Sequence, residues 1–323
     1  MGSIMKSFVT CSILFILLCF QFVYGGWKIT TAPVKLAGGE GENYMHPVWS
    51  TTSDWIAFTS IGYQGIWVLN SRSHEIKKLT DEQGSGFGFS WSNTGQEIVC
   101  ITTDYEGKKP FNQLKIFDIE NDTSWTVTDG KQRFRGLPRW SIDDQQVYIM
   151  GKRNIHIFES KLKISEPMTT PQNKQMVFLK SGKIVVETFD RVTEKVFEPV
   201  SGMGTINLMI SPDRSKLAFE VYGGNMYIMN VDGTGLTDLG IGYRPQWSPS
   251  GEYLAYMITE DDGYRFTQSD IYTIKIDGSD KTNLTNTNDI LEMNPSWSPE
   301  GNRIVFDNYN EGSIYVVEVE NSL

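Results

Sequence analysis

A short phrase centred on tryptophan and serine recurs along this chain, at intervals that suit one kind of structural unit. It reads Pro47-Val48-Trp49-Ser50, Phe89-Ser90-Trp91-Ser92, Pro138-Arg139-Trp140-Ser141, Met209-Ile210-Ser211-Pro212, Pro245-Gln246-Trp247-Ser248-Pro249 and Pro295-Ser296-Trp297-Ser298-Pro299. Each copy leads through a tight turn into an apolar β-rich run, such as Trp55 to Phe58, Ile98 to Ile101, Val147 to Met150 or Arg303 to Phe306. In Ser-Pro-x-Gly the proline presets φ for the first turn position, and the glycine accepts the positive φ needed to re-enter a sheet. Gly95, Gly251 and Gly301 keep that glycine, whereas Ser53, Asp144 and Arg214 replace it. Those three turns are expected to differ or to carry strain.

A third strand follows in each unit (Ile66 to Leu69, Leu114 to Phe117, Ile155 to Phe158, Met226 to Met229, Ile271 to Ile274, Ile314 to Val317), and a more polar fourth ends most of them. Asp232-Gly233 and Asp277-Gly278 are hairpin turns into two of these fourth strands. Four antiparallel strands per repeat at this period describe an all-β fold, a single β-propeller. After Trp297 only three strands remain, and Val34-Lys35-Leu36 precedes Trp49 by the interval at which Leu284 precedes Trp297. The N-terminal strand should therefore complete the last blade, which ties both termini down and covers sheet edges. The repeat positions are separated by 42, 49, 70, 37 and 50 residues. The long gap contains a worn copy, Phe178 to Val186, so the count is seven blades; six blades with a long insertion is the alternative.

Residues 1–25 carry no acid, one lysine (Lys6) and an apolar run from Phe8 to Tyr24. This is signal-peptide anatomy, with Val23 and Gly25 small enough to flank a cleavage that leaves residues 26–323 as the propeller domain. That mature chain has one cysteine, Cys100, and 39 acidic against 28 basic residues. No internal disulfide can form, and an acidic chain without a basic cluster argues against nucleic acid as a partner. Two N-x-[ST] sequons, at Asn121 and Asn283, keep a eukaryotic secretory route open beside a bacterial periplasm.

The Trp-Ser-Pro-x-Gly hairpin, with Val231-Asp232-Gly233 or Ile276-Asp277-Gly278 before it, resembles the WD40-like PD40 repeats of TolB-type propellers over the whole mature chain. Membership would imply a propeller exported to the cell envelope and, by analogy with the best-known member, a protein-binding platform. Two features depart from that family. TolB carries an additional N-terminal α/β domain, and its propeller usually has six blades.

Catalytic signals are sparse. No G-x-S-x-G elbow exists of the kind that accompanies such repeats in prolyl-oligopeptidase relatives. The three histidines His46, His74 and His156 show no H-E-x-x-H spacing, and no D-x-D-x-D-G loop suggests calcium. PD40-type repeats also occur in seven-bladed oligogalacturonate lyases, which supplies the enzyme alternative; of the histidines only His46 is placed near a channel mouth. Loops joining fourth to first and second to third strands gather on one face around the channel, where function tends to lie. They supply the candidate partner-binding residues Tyr44, His46, Phe134, Arg135, Tyr243, Arg244, Tyr264, Arg265, Phe266, Glu292 and Asn294. Arg139 is read as a structural cation paired with a loop carboxylate. The chain is thus expected to be an exported, non-enzymatic, monomeric propeller, periplasmic or secreted. It would bind a protein or peptide, with no cofactor, no metal and no membrane span once the leader is removed; an oligogalacturonate-type lyase is the runner-up.

Overall fold

The computed structural model describes residues 26–128, 133–134, 136–151, 155–161, 175–188 and 193–322. Its strands form seven antiparallel sheets, six made from consecutive segments of chain and the seventh from the two ends of the described chain, and these are the seven blades. Blades 1, 2, 5 and 6 have four strands and span residues 44–80, 90–126, 205–240 and 243–283. Blades 3 and 4 show three described strands each, within 139–159 and 175–197; the latter is the worn repeat, turning at Ser181-Gly182 with both residues at positive φ. Blade 7 combines Glu292–Trp297, Arg303–Asn308 and Ser313–Asn321 with two pieces from the start of the described chain.

Those pieces are Trp27–Ile29, paired with Val319 to Asn321, and Val34–Ala37, paired with Ile314 to Val316. The N-terminal strand therefore completes the last blade as expected, but in two parts. The predicted piece is the second of them, and Trp27 adds edge-on packing against Trp297 at 4.6 Å between ring centroids.

The serine of the repeated phrase acts the same way in all six copies. The hydroxyls of Ser50, Ser92, Ser141, Ser211, Ser248 and Ser298 are buried and accept the backbone N–H five residues on, at 2.9–3.2 Å. Each serine carbonyl also accepts the N–H of the residue closing the turn, at 2.8–3.2 Å. The turn is one structure used six times. Gly95, Gly251 and Gly301 close it at φ 70–77°, and Ser53, Asp144 and Arg214 close it at φ 58–63°. The glycine-free turns do not differ in backbone, so they hold L residues in the left-handed region, where a Cβ is unfavourable.

Tryptophan fills the seams between blades. Trp91 Nε1 donates to the Val48 carbonyl and Trp140 Nε1 to the Ser90 carbonyl, each on the innermost strand of the preceding blade, at 3.2 and 2.9 Å. Among the described residues, buried apolar clusters occupy the seams 7–1, 1–2, 2–3, 4–5, 5–6 and 6–7. Cys100 sits fully buried in one of them, and burial pushes its thiol up, away from nucleophilic behaviour.

Candidate functional site

The innermost strands surround an axial cavity of about 870 Å³, lined by residues of all seven blades. Their side chains are mostly apolar, including Val48, Phe89, Phe134, Met150, Phe178, Leu208 and Met209. Polar groups enter at a repeated place, three residues before the tryptophan position. There the strand breaks register with its neighbour in blades 1, 5, 6 and 7, and the residue adopts positive φ: His46 at 58°, Asn207 at 49°, Arg244 at 57° and Asn294 at 51°, with Gly88 of blade 2 at 74°. A bulge of this kind re-aims one side chain and bends the strand. All five residues line the cavity.

Two buried carboxylates hold four of these bulges in place. Asp307 Oδ1 accepts the Asn294 side-chain amide of its own blade and the His46 backbone N–H of the next, both at 2.9 Å. Glu220 Oε1 accepts the Asn207 amide of its own blade at 2.8 Å and the Arg244 backbone N–H of the next. Both carboxylates stand on the second strand, ten residues after the tryptophan position. Desolvation pushes the Asp307 carboxyl up to about 7, against the pull of these donors and of the Arg244 charge, and pushes Glu220 in the same direction. Desolvation, aided by Arg244, holds the His46 imidazole down at about 4. His46 is therefore a neutral ring at physiological pH.

The sequence-derived candidates do not form one group. His46, Phe134, Arg244 and Asn294 meet at the cavity. Tyr44 is buried beside Phe58 and Trp67, and its hydroxyl, bonded to Glu42, is pushed up to about 12 by burial and that carboxylate. Glu292 is fully buried, bonded through one oxygen to Thr287 at 2.7 Å, and raised to about 7 chiefly by desolvation. Tyr243 is half-buried on its strand. Tyr264, Arg265 and Phe266 lie at a projecting hairpin built from Tyr253–Asp261 and Phe266–Lys275, with Tyr264 98% exposed and Phe266 edge-on to Tyr309. A matching hairpin, Glu97–Glu106 with Lys109–Asp118, projects from blade 2. Arg135 lies outside the described residues.

Arg139 corrects an expectation. Among the described residues it has no carboxylate partner; its side chain is exposed to the cavity, and desolvation by the surrounding walls pulls its guanidinium below the usual range. Sequence reasoning also missed Asn207, Glu220 and Asp307. Asn207 was hidden because its copy has Ile210 where the others have tryptophan, and a count back from Ile210 would have found it. Among the described residues no group of three or more His, Cys, Asp or Glu side chains could hold a metal ion. His74 is in a turn between outer strands of blade 1, and His156 is on the third strand of blade 3.

No protein-family model matches this chain, and no curated protein matches it. Solved structures do. The β-propeller domain of Cps50 (Swd1) from Myceliophteria thermophila superposes with TM-score 0.65 at 10% identity, covering 90% of this chain and 100% of that domain. Oligogalacturonate lyase from Vibrio parahaemolyticus gives 0.60 at 12%, covering 91% and 96%, and an oligogalacturonate lyase in complex with manganese gives 0.62 at 11%, covering 91% and 95%. TolB from Acinetobacter baumannii gives 0.46 at 13%, covering 87% of this chain and 55% of TolB. At these identities the likeness is one of fold, and the propeller that the repeats led us to expect is the fold observed.

Proposed function

We propose that this protein is an exported, non-enzymatic propeller that binds a protein or peptide segment at its loop face and axial cavity. The observation that carries the reading is the uneven placement of apolar surface. Ile61, Tyr105, Tyr222, Ile241, Tyr264 and Tyr309 are each half to almost fully exposed, and all stand on loops or, for Tyr105, near a hairpin tip of the face where fourth-to-first and second-to-third connections meet. The opposite face, formed by the short turns, exposes Ile142 and Leu236. Apolar and aromatic side chains gathered on one face, around a pocket, are the composition of a protein interface.

The runner-up is a uronate lyase, favoured by the two lyase structures that match almost end to end. Against it stands the donor set, since His46 is the one histidine lining the cavity among the described residues. Panning a displayed peptide library against residues 26–323 tests the binding reading. Enriched peptides that lose affinity for a Phe134→Ala/Arg244→Gln variant of unchanged melting temperature are expected. A library that yields no binder, together with manganese-dependent appearance of an unsaturated product from oligogalacturonate, overturns it. Export is tested separately: intact mass of the protein recovered outside the producing cytoplasm should begin at Gly26.

A further inference from the structure

The cavity has a charge composition opposite to that of the chain. The mature protein carries 39 acidic residues, yet no Asp or Glu is among the described residues that line the cavity, while Arg139 and Arg244 both are. These arginines belong to blades 3 and 6, which face each other across the axis of a seven-bladed ring. They stand at two levels, Arg244 on the bulge three residues before its tryptophan and Arg139 directly before its own. Neither guanidinium makes an ion pair or hydrogen bond with a described residue. The two carboxylates near Arg244, Glu220 and Asp307, are each occupied by an amide side chain and a backbone N–H.

Arg139 is exposed to the cavity and Arg244 half-buried, so each guanidinium is open to an incoming anion, and a ligand that expels water from the apolar walls would strengthen the pairing. Five fixed donors in a planar fork suit a carboxylate better than any neutral group. The walls then narrow the class of anion. Phe89, Phe134, Phe178, Leu208 and Met209 favour an occupant that brings apolar side chains beside its charge. We propose that the axial cavity is an anion site for an acidic peptide, with an Asp or Glu carboxylate held between Arg139 and Arg244 and its apolar neighbours packed on the walls. This rests on the peptide-binding reading above and specifies its ligand. Asn207, Asn294 and Gln246 supply further amide donors around the same cavity.

The test uses residues 26–323 and the peptides enriched by panning, resynthesised with a fluorescent label alongside counterparts in which each Glu is Gln and each Asp is Asn. Enriched peptides should carry an acid flanked by apolar residues. Loss of that charge, or Arg139→Gln or Arg244→Gln in the protein, should weaken binding about tenfold or more, as expected for a partly desolvated charge-assisted pair. Arg139→Lys should recover part of the affinity, which separates charge from shape. Both glutamine variants should melt at the parent temperature, since neither guanidinium makes an ion pair or hydrogen bond with a described residue. Enriched peptides without acids, or acidic peptides whose affinity survives both substitutions, overturn the anion site and leave the peptide platform standing. Absence of any enriched peptide overturns the platform itself. Oligogalacturonate bound through the same arginines, with no acidic peptide bound, overturns the peptide assignment in favour of an acidic sugar.

Discussion

Two sets of left-handed residues punctuate the innermost strands, one at each end. At the turn into the second strand the set is Ser53, Gly95, Asp144, Arg214, Gly251 and Gly301; at the bulge near the loop face it is His46, Gly88, Asn207, Arg244 and Asn294. The backbone demand is similar, yet the supporting chemistry differs. Turns are held by a serine that recurs in six copies. Among the described residues, bulges are held by carboxylates in two blades, Glu220 and Asp307, each serving its own blade and the next. One end is repeated because folding needs it six times; the other varies because its side chains face a cavity.

If that contrast is right, the largest stability loss should come from the bulge support. Asp307→Ala leaves the His46 N–H and the Asn294 amide without their acceptor in the interior, and a loss of about 3 kcal/mol in denaturant unfolding is expected. Asp307→Asn keeps an acceptor oxygen and should cost far less at neutral pH. The two also separate by pH. A carboxyl raised to about 7 in the folded chain holds a proton that the unfolded chain releases near its ordinary value of 3.8, so its contribution falls as pH climbs from 4 to 7 and is lowest above that. Glu292, also near 7, acts with the same sign, and His46, held near 4, acts with the opposite one between 4 and its ordinary 6.5. Subtracting the Asn variant from the parent isolates Asp307. The stability of Asp307→Asn relative to the parent should rise from pH 4 to pH 8, and a flat difference would show that the carboxyl is not strained by burial.

The same contrast explains what could be read without the structure. Blade number, strand order, the turns and the closure by Val34-Lys35-Leu36 all follow from a phrase that packing forces to recur. The cavity residues were partly legible, because His46, Arg244 and Asn294 stand at one offset from a visible tryptophan. Asn207 stands at that offset from an isoleucine and passed unnoticed. Arg139 looked structural because a sequence does not show which carboxylates come near it. Tyr44 and Glu292 read as loop residues because they flank turns, but both side chains fold inward beneath those turns. Burial of a polar side chain depends on neighbouring blades, and a repeat-by-repeat reading does not contain them.

Within the turn set itself, the three residues that replace glycine should not behave alike. Asp144 is the stringent case. Its carboxylate accepts the Asn93 N–H, the Asn93 amide and the Thr94 N–H at 2.7–2.9 Å, tying the turn of blade 3 to that of blade 2. Asp144→Gly relieves the backbone but removes three donors' acceptor, so a net loss of about 2 kcal/mol is expected. A neutral result would mean that water replaces the carboxylate without cost, and that the blade 2–3 turn contact is dispensable.

Arg214 occupies the same turn position at φ 62°, with the same N–H donated to the Ser211 carbonyl at 2.8 Å. Among the described residues, no hydrogen bond or ion pair of its side chain offsets the strained backbone. Ser53, by comparison, reaches across the closing seam to Glu300 of blade 7. Arg214→Gly should therefore stabilise the fold by up to about 1 kcal/mol, the cost of an L residue in the left-handed region less the added freedom of glycine in the unfolded chain. Ser53→Gly should fall between the two, because it exchanges strain for a lost hydrogen bond. Denaturant midpoints for the three glycine variants thus have a required order, with Arg214→Gly highest and Asp144→Gly lowest. Any other order would mean that the left-handed positions are not held at comparable strain, and the contrast between turns and bulges would have to be drawn from their side chains alone.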